Sequence, residues 1–164
     1  TFPRADGEGK CLRQVLMQDG LRWTAEWQPY TLIGETNWSN YEVSADVLIE
    51  TNGGSAFVMG RVGKGARFSD ALPRGYWFAL NNTNAQWELY ASSNLLASGA
   101  ATIPTNSWHN LRLAMRGHSL GCYVDGVQVT NFTDSTYSSG LAGIGCGGWY
   151  GAQFDNFTLR SLRH

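Results

Sequence analysis

Aromatic side chains are the residues of this sequence best suited to contacting a ligand, since seven Trp and seven Tyr occur among 164 residues. A flat ring packs against the apolar C–H side of a pyranose, while charged and amide groups bind its hydroxyls. Trp23 and Trp27 lie in a polar stretch, and Trp149 and Tyr150 are flanked by glycines that permit an exposed loop. We therefore expect these four residues to contact a carbohydrate.

Two further candidates lie inside predicted strands. Arg61 interrupts an otherwise apolar strand, and its guanidinium can donate paired hydrogen bonds to vicinal hydroxyls. Alternatively, a carboxylate on a strand face, such as Asp46 or Glu50, holds the Arg61 side chain. Trp77 occupies a strand position where a ring is usually buried, and a ligand-facing position is the alternative. We take both Arg61 and Trp77 as candidate carbohydrate-binding residues.

Signals for catalysis are weak. The three histidines have no metal-ligand spacing, and the sequence contains no nucleophile elbow or Ser/His/Asp order. Glu42, Asp46 and Glu50 share one face of a predicted strand, where two carboxylates can serve a glycosidase as acid and nucleophile. The alternative is an exposed polar face, which we favour. The sequence therefore predicts a protein that is not itself an enzyme.

Composition excludes two classes of partner. The net charge is −1, from 12 basic and 13 acidic residues, and no basic cluster is present to bind nucleic acid. No apolar run approaches the roughly 20 residues of a membrane-spanning helix. Cys11, Cys122 and Cys146 match no zinc-binding pattern. At least one of the three thiols must be unpaired. The sequence does not decide whether the other two form a disulfide.

The candidate residues must be positioned by β-strands. Residues 41–50 alternate between apolar and polar, which indicates a half-buried strand. A turn at 52–54 leads to 56–62, which we predict as the second arm of a hairpin. Asp125-Gly126 predicts another hairpin, and the change of apolar phase at Asp155-Asn156 predicts a bulge. Shorter strands are predicted at 76–80, 86–90 and 95–98.

These elements favour a single all-β domain over residues 1–164. Glycine (20) outnumbers lysine and arginine together (12), and no long helix is predicted. About eleven to thirteen short strands are the number expected of a β-sandwich or jelly roll of two antiparallel sheets.

Several stretches, in order and spacing, resemble the C-terminal lectin-type domain of the galactocerebrosidase family of glycoside hydrolases. The similarity runs from residue 11 to residue 159, nearly the whole chain. The final strand, Gly-Ala-Gln-Phe-Asp-Asn-Phe-Thr-Leu, carries it most clearly. The stretches that resemble the family are 12–16, 23–25, 37–43, 47–51, 60–65, 116–118, 142–145 and 151–159.

The resemblance implies a concanavalin-like jelly roll and a non-catalytic role, since the two catalytic carboxylates of the family belong to a separate barrel. It implies that Trp23 matches an aromatic in the wall of the galactose pocket. It also implies a structural Ca²⁺ site with Asp155 and the Lys10 carbonyl among its ligands, other ligands lying on a strand upstream of Thr1. A secreted or lysosomal-type compartment is implied as well.

Two functions follow as expectations. The first is a non-catalytic carbohydrate-binding module that recognises a galactoside or related glycan and targets an attached glycoside hydrolase. The second is a structural accessory domain that completes the active site of a separate catalytic barrel without binding free glycan. In both cases the expected partner is a catalytic glycoside hydrolase domain in the parent protein.

Overall fold

The alternation that begins at Tyr41 produces a long strand with one buried and one half-buried face. In the computed structural model, which describes residues 1–4, 9–16, 28–63 and 74–162, thirteen strands form two antiparallel sheets. These sheets pack face to face as a β-sandwich. The predicted fold class is confirmed.

The first sheet has seven strands. Its outer face is mostly polar, because β-strand side chains alternate and only one set faces the core. In spatial order the strands are β1 (Phe2–Pro3), β2 (Lys10–Arg13), β13 (Ala152–Ser161), β4 (Tyr41–Ile49), β9 (Trp108–Arg116), β10 (Ser119–Val124) and β11 (Val127–Thr133).

The second sheet has six strands and carries the candidate site described below. In spatial order they are β3 (Tyr30–Ile33), β12 (Leu141–Gly147), β5 (Ser55–Val62), β6 (Tyr76–Asn81), β7 (Gln86–Ala91) and β8 (Asn94–Ala100). Strands β6, β7 and β8 pair consecutively as an antiparallel meander, at the positions of the three shorter strands that the sequence predicts.

The main core fills the space between the two sheets. Fully buried Leu111 and Leu113 of β9 face Val58 and Phe78 of the six-stranded sheet in one apolar cluster. A Leu-to-Ala change in such a core costs about 2–5 kcal/mol. The site strands are therefore fixed from behind by a closely packed layer.

The predicted hairpin between residues 41–50 and 56–62 is wrong. β4 pairs with β13 and β9 in one sheet, whereas β5 pairs with β12 and β6 in the other. The turn at 52–54 therefore carries the chain from one sheet to the other. Gly53 adopts φ 89°, as the sequence signal requires, but such a turn is equally suited to a hairpin or to an inter-sheet connection.

Two other local predictions are confirmed. Asp125 and Gly126 have φ of 49° and 81° and connect β10 to β11, as a two-residue hairpin requires. β13 shifts its register against β4 between Asp155 and Thr158, with Asn156 at φ 48°. This bulge explains why the apolar residues of the last strand change face.

The three cysteines are buried free thiols. No disulfide joins them, so the single disulfide that the sequence left open is not formed. Within the described residues, no helix is long and apolar enough to cross a membrane.

Tyr41 makes the stability of the fold sensitive to alkaline pH. Its hydroxyl accepts the backbone N–H of Arg61 at 2.6 Å and lies 3.0 Å from the carbonyl oxygen of Leu141. Burial raises the pKa of Tyr41 from 10.0 to about 12. The folded state thus retains a proton that the unfolded state releases. The contribution of Tyr41 to stability is therefore fully present below pH 10 and is lost between pH 10 and 12.

We expect the free energy of unfolding, measured by urea titration, to fall by about 1 kcal/mol per pH unit for this group in that range. Tyr41→Phe leaves the buried Arg61 amide without its acceptor and is expected to cost about 1–3 kcal/mol at neutral pH. The variant should also show a shallower alkaline loss. Identical pH slopes for the two proteins would contradict the assignment.

Candidate binding site on the six-stranded sheet

The outer face of the six-stranded sheet carries a second, aromatic cluster. Phe57 of β5 and Trp77 of β6 pack with ring centroids 4.8 Å apart, beside buried Met59 and Ala79. Tyr90 of β7 packs against the same cluster. These residues alternate with core residues along each strand, so they face away from the sandwich interior.

A cavity of about 240 Å³ lies on this face. It combines aromatic rings with polar groups and contains an acidic side chain, which is the composition of a site for a polyhydroxylated ligand. The described residues that line it are Gln28, Ser55, Phe57, Trp77, Ala79, Asn81, Glu88, Tyr90, Ser92 and Ser93.

Glu88 is the central polar group of this cavity and is only 7% exposed. Its carboxylate accepts the Asn84 amide at 2.8 Å and the Tyr90 hydroxyl at 3.0 Å. The amide nitrogen of Asn81 lies 3.3 Å from both carboxylate oxygens. All three donors are uncharged, and Glu88 forms no ion pair with any described residue.

Tyr90 donates to Glu88 as a neutral phenol. Burial, followed by the hydrogen bond to Glu88, raises the pKa of Tyr90 to about 12. This hydrogen bond fixes the orientation of both side chains. A preorganised carboxylate accepts hydrogen bonds from hydroxyl groups more strongly than a neutral acceptor does.

The side chain of Gln28, which lines the cavity, contains a hydrogen-bond acceptor that lacks a donor. Its Oε1 atom is buried and has no hydrogen-bond partner among the described residues, and the residue lines the same cavity. A buried acceptor left without a donor costs about 1–3 kcal/mol.

Of the predicted site residues, the structure brings Trp77 into this cavity. Trp77 is 4% exposed, so it contributes to the floor of the cavity and is not an exposed platform. The predictions missed Glu88, Tyr90 and Asn81. The alternation Trp87-Glu88-Leu89-Tyr90 contains the signal, because apolar Trp87 and Leu89 face the core and leave Glu88 and Tyr90 outside.

Arg61 does not face a ligand in this structure. The side chain is 1% exposed, and its guanidinium donates to the carbonyl oxygen of Ser39 at 2.8 and 2.9 Å and to that of Tyr137 at 3.1 Å. The alternative in which Asp46 or Glu50 holds Arg61 is wrong. These contacts give the guanidinium a structural role, and a sugar contact by Arg61 stays a prediction. The sequence could not show that backbone carbonyls occupy its donors.

Trp149 and Tyr150 lie in the loop between β12 and β13. Tyr150 is 43% exposed, and Trp149 has a positive φ of 62°. β12 ends at Gly147, which pairs with the cavity residue Ser55. The loop therefore leaves the sheet beside the cavity, although neither ring is among the described residues that line it. Their contact with a ligand stays a prediction.

Trp23 and Trp27 lie outside the described residues. Their assignment as carbohydrate contacts stays a prediction that the structure does not address.

The three carboxylates that the sequence places on one strand face, Glu42 and Asp46 of β4 and Glu50 directly after it, are held by separate partners. Glu42 lies 2.9 Å from the guanidinium of Arg160. Asp46 accepts hydrogen bonds from the side-chain amides of Asn110 and Asn156 at 2.8 and 2.7 Å. Glu50 accepts two bonds from Arg13 at 2.6 and 2.8 Å and one from Gln153 at 2.7 Å. Each carboxylate thus has structural hydrogen bonds, in agreement with the polar-face interpretation.

The described residues do not fit a calcium ion. The Asp155 carboxylate pairs with the guanidinium of Arg4 and accepts the backbone N–H of Asn156. Ca²⁺ requires six to eight oxygen ligands, and the described residues contain no group of three or more His, Cys, Asp or Glu placed to bind a metal. Asp155 and the Lys10 carbonyl alone do not form such a site.

Comparisons with known proteins agree with a lectin-type domain. The family model described as "Galactocerebrosidase, C-terminal lectin domain" matches residues 3–162. The galactocerebrosidase of Canis lupus familiaris is 34% identical over 157 residues, and that of Homo sapiens is 32% identical over 157 residues. Each match covers 93% of this chain and 23% of the relative. The chain thus spans about a quarter of these relatives.

Solved structures of low sequence identity share the fold. A carbohydrate binding module, CBM66 from Bacillus subtilis, superposes with a TM-score of 0.72 at 20% identity, covering 92% of this chain and 95% of that chain. The Emp46p carbohydrate recognition domain gives a TM-score of 0.64 at 11% identity, covering 86% and 82% of the two chains. Galectin LEC-6 of Caenorhabditis elegans gives 0.51 at 12% identity, covering 82% and 94%.

Proposed function

Because the chain belongs to the galactocerebrosidase C-terminal lectin domain family, we propose that it binds a galactoside or a related glycan and directs an attached glycoside hydrolase to its substrate. The domain contributes no catalytic group in this proposal. A tethered binding domain raises the local concentration of the substrate and leaves the chemistry of the enzyme unchanged. We place this activity in a secreted or lysosomal-type compartment.

One observation carries the proposal: a buried carboxylate lies beside aromatic rings in a cavity on the outer face of a β-sandwich. In this proposal the Tyr90 ring packs against the C–H face of a pyranose, Trp77 contributes to the floor of the cavity, and Glu88 accepts hydrogen bonds from the sugar hydroxyls. We propose Trp23, Trp149 and Tyr150 as further aromatic contacts to the glycan.

Tyr90→Ala tests this site. Removal of the ring and of its hydroxyl takes away a stacking surface and a donor that orients Glu88. We expect the affinity for the best glycan on an array of neutral oligosaccharides, measured by calorimetric titration, to fall about tenfold or more.

The matched control is Tyr123→Ala. Tyr123 is also partly buried, but it lies on the outer face of the other sheet, where it packs under the Arg112 guanidinium at 3.7 Å. Its loss should leave glycan affinity unchanged. Equal losses in both variants, or in neither, would argue against the cavity as the binding site.

A second candidate function is that of a structural accessory domain. Exposed apolar side chains are frequent around one edge of the sandwich: Phe2, Leu12, Val15, Leu16 and Ile33 are 40–59% exposed. Such a surface is suited to packing against another protein domain. This function predicts that the isolated chain binds no free glycan, and that hydrolysis by a catalytic barrel of the family requires the domain.

A further inference from the structure

We propose that the Glu88 cavity selects uncharged sugars and rejects a ring that carries a sulfate or carboxylate group. This inference rests on the proposed function, because it specifies which glycans the same cavity admits.

The first argument is the pairing of hydrogen-bond donors with acceptors. The central polar group of the cavity is the Glu88 carboxylate, which can only accept hydrogen bonds. A sugar hydroxyl supplies a donor to it. A sulfate ester or an ionised carboxylate carries acceptors only, so such a group placed beside Glu88 brings no donor to this carboxylate.

The second argument is charge. Glu88 accepts only from uncharged groups, namely Asn81, Asn84 and Tyr90, and the described residues that line the cavity include no Lys, Arg or His. The negative charge of Glu88 is therefore not neutralised locally by a described cation. An anion brought beside it in a largely desolvated site meets like-charge repulsion, which strongly disfavours binding.

The third argument is that the site is already organised for neutral hydroxyls. Asn81 shares one amide nitrogen between both Glu88 oxygens at the long distance of 3.3 Å, so these weak bonds are easily replaced by ligand hydroxyls. The serine hydroxyls at 55, 92 and 93 can donate or accept around the rim. At about 240 Å³ the cavity is also below the range of drug-sized ligand pockets, so it suits a single sugar ring.

The test compares one sugar with and without a charge. Methyl β-galactoside, its 3-sulfate, its 6-sulfate and methyl galacturonide are titrated against the folded chain at neutral pH, together with an array of other neutral monosaccharides. We expect the three anionic ligands to bind about tenfold or more weakly than the neutral galactoside.

Glu88→Gln provides the second variant. The amide keeps the shape of the side chain but removes its charge. We expect it to bind the neutral galactoside more weakly, by about tenfold, because a charged acceptor forms the stronger hydrogen bond. The ratio between neutral and anionic ligands should then approach one.

The outcomes separate this inference from the proposed function. If the neutral and anionic galactosides bind the native chain equally well, or if Glu88→Gln retains the full discrimination, the inference is overturned while glycan binding stands. If no sugar of either kind binds, the proposed function fails, and the inference fails with it.

Discussion

Replacement of Glu88 with alanine is expected to lower the affinity for glycan by about a hundredfold, because hydrogen bonds to a charged acceptor are among the strongest that a sugar hydroxyl makes. The change also leaves Asn81, Asn84 and Tyr90 without their common acceptor, so the positions of the remaining cavity groups are lost with it. Calorimetric titration of the folded variant measures the loss, and a parallel thermal melt shows how much of the variant is folded.

Glu42→Ala is the matched control for that experiment. Glu42 is a half-buried glutamate on the outer face of the opposite sheet, where its partners are Arg112 and Arg160. The Glu42→Ala variant should bind glycan with native affinity. If Glu42→Ala abolished binding and Glu88→Ala retained it, the site would have to be moved to the seven-stranded sheet.

Arg61→Ala is expected to reduce the free energy of unfolding by about 3–5 kcal/mol, because it combines a cavity with buried carbonyl groups left without donors. The carbonyl oxygens of Ser39 and Tyr137 lose the guanidinium that bridges their loops. Burial also lowers the pKa of the Arg61 guanidinium. Urea denaturation measures the effect.

Arg160→Ala serves as the control, since Arg160 is 68% exposed and its ion pair with Glu42 contributes at most about 1 kcal/mol. For Arg61→Ala, the affinity per folded molecule should match that of the native chain. A variant of native stability that had lost glycan binding would instead support the sugar contact predicted from the sequence.

The fold could be predicted from the sequence where side-chain alternation and turn chemistry act locally. The Tyr41–Ile49 strand, the Asp125-Gly126 turn and the bulge near Asp155 each depend on neighbouring residues. The pairing of β4 could not be predicted in this way. Its partners β9 and β13 are distant in the sequence, and the Gly53 turn has the same backbone conformation in a hairpin as in a connection between sheets.

The candidate site was harder to predict than the fold. The abundance of aromatic residues makes Trp77 a candidate, whereas the pattern around residue 88 predicts only a strand. Asn84 lies in the turn between β6 and β7, and its contact with Glu88 depends on how this turn folds back toward the hairpin. The role of Arg61 depends on Tyr137, which is 76 residues away. Such contacts arise from tertiary packing, which alternation does not encode.

The three buried free thiols give the domain a built-in reporter of opening. Burial raises the pKa of Cys146 to about 12 and that of Cys122 further still, so in the closed fold neither is a ready nucleophile toward an alkylating reagent. Labelling must then follow transient exposure of the core. The kinetics of thiol alkylation would measure how often the sandwich opens, without an added probe. Since no disulfide links the strands, folding should also proceed under reducing conditions, where those kinetics can be followed.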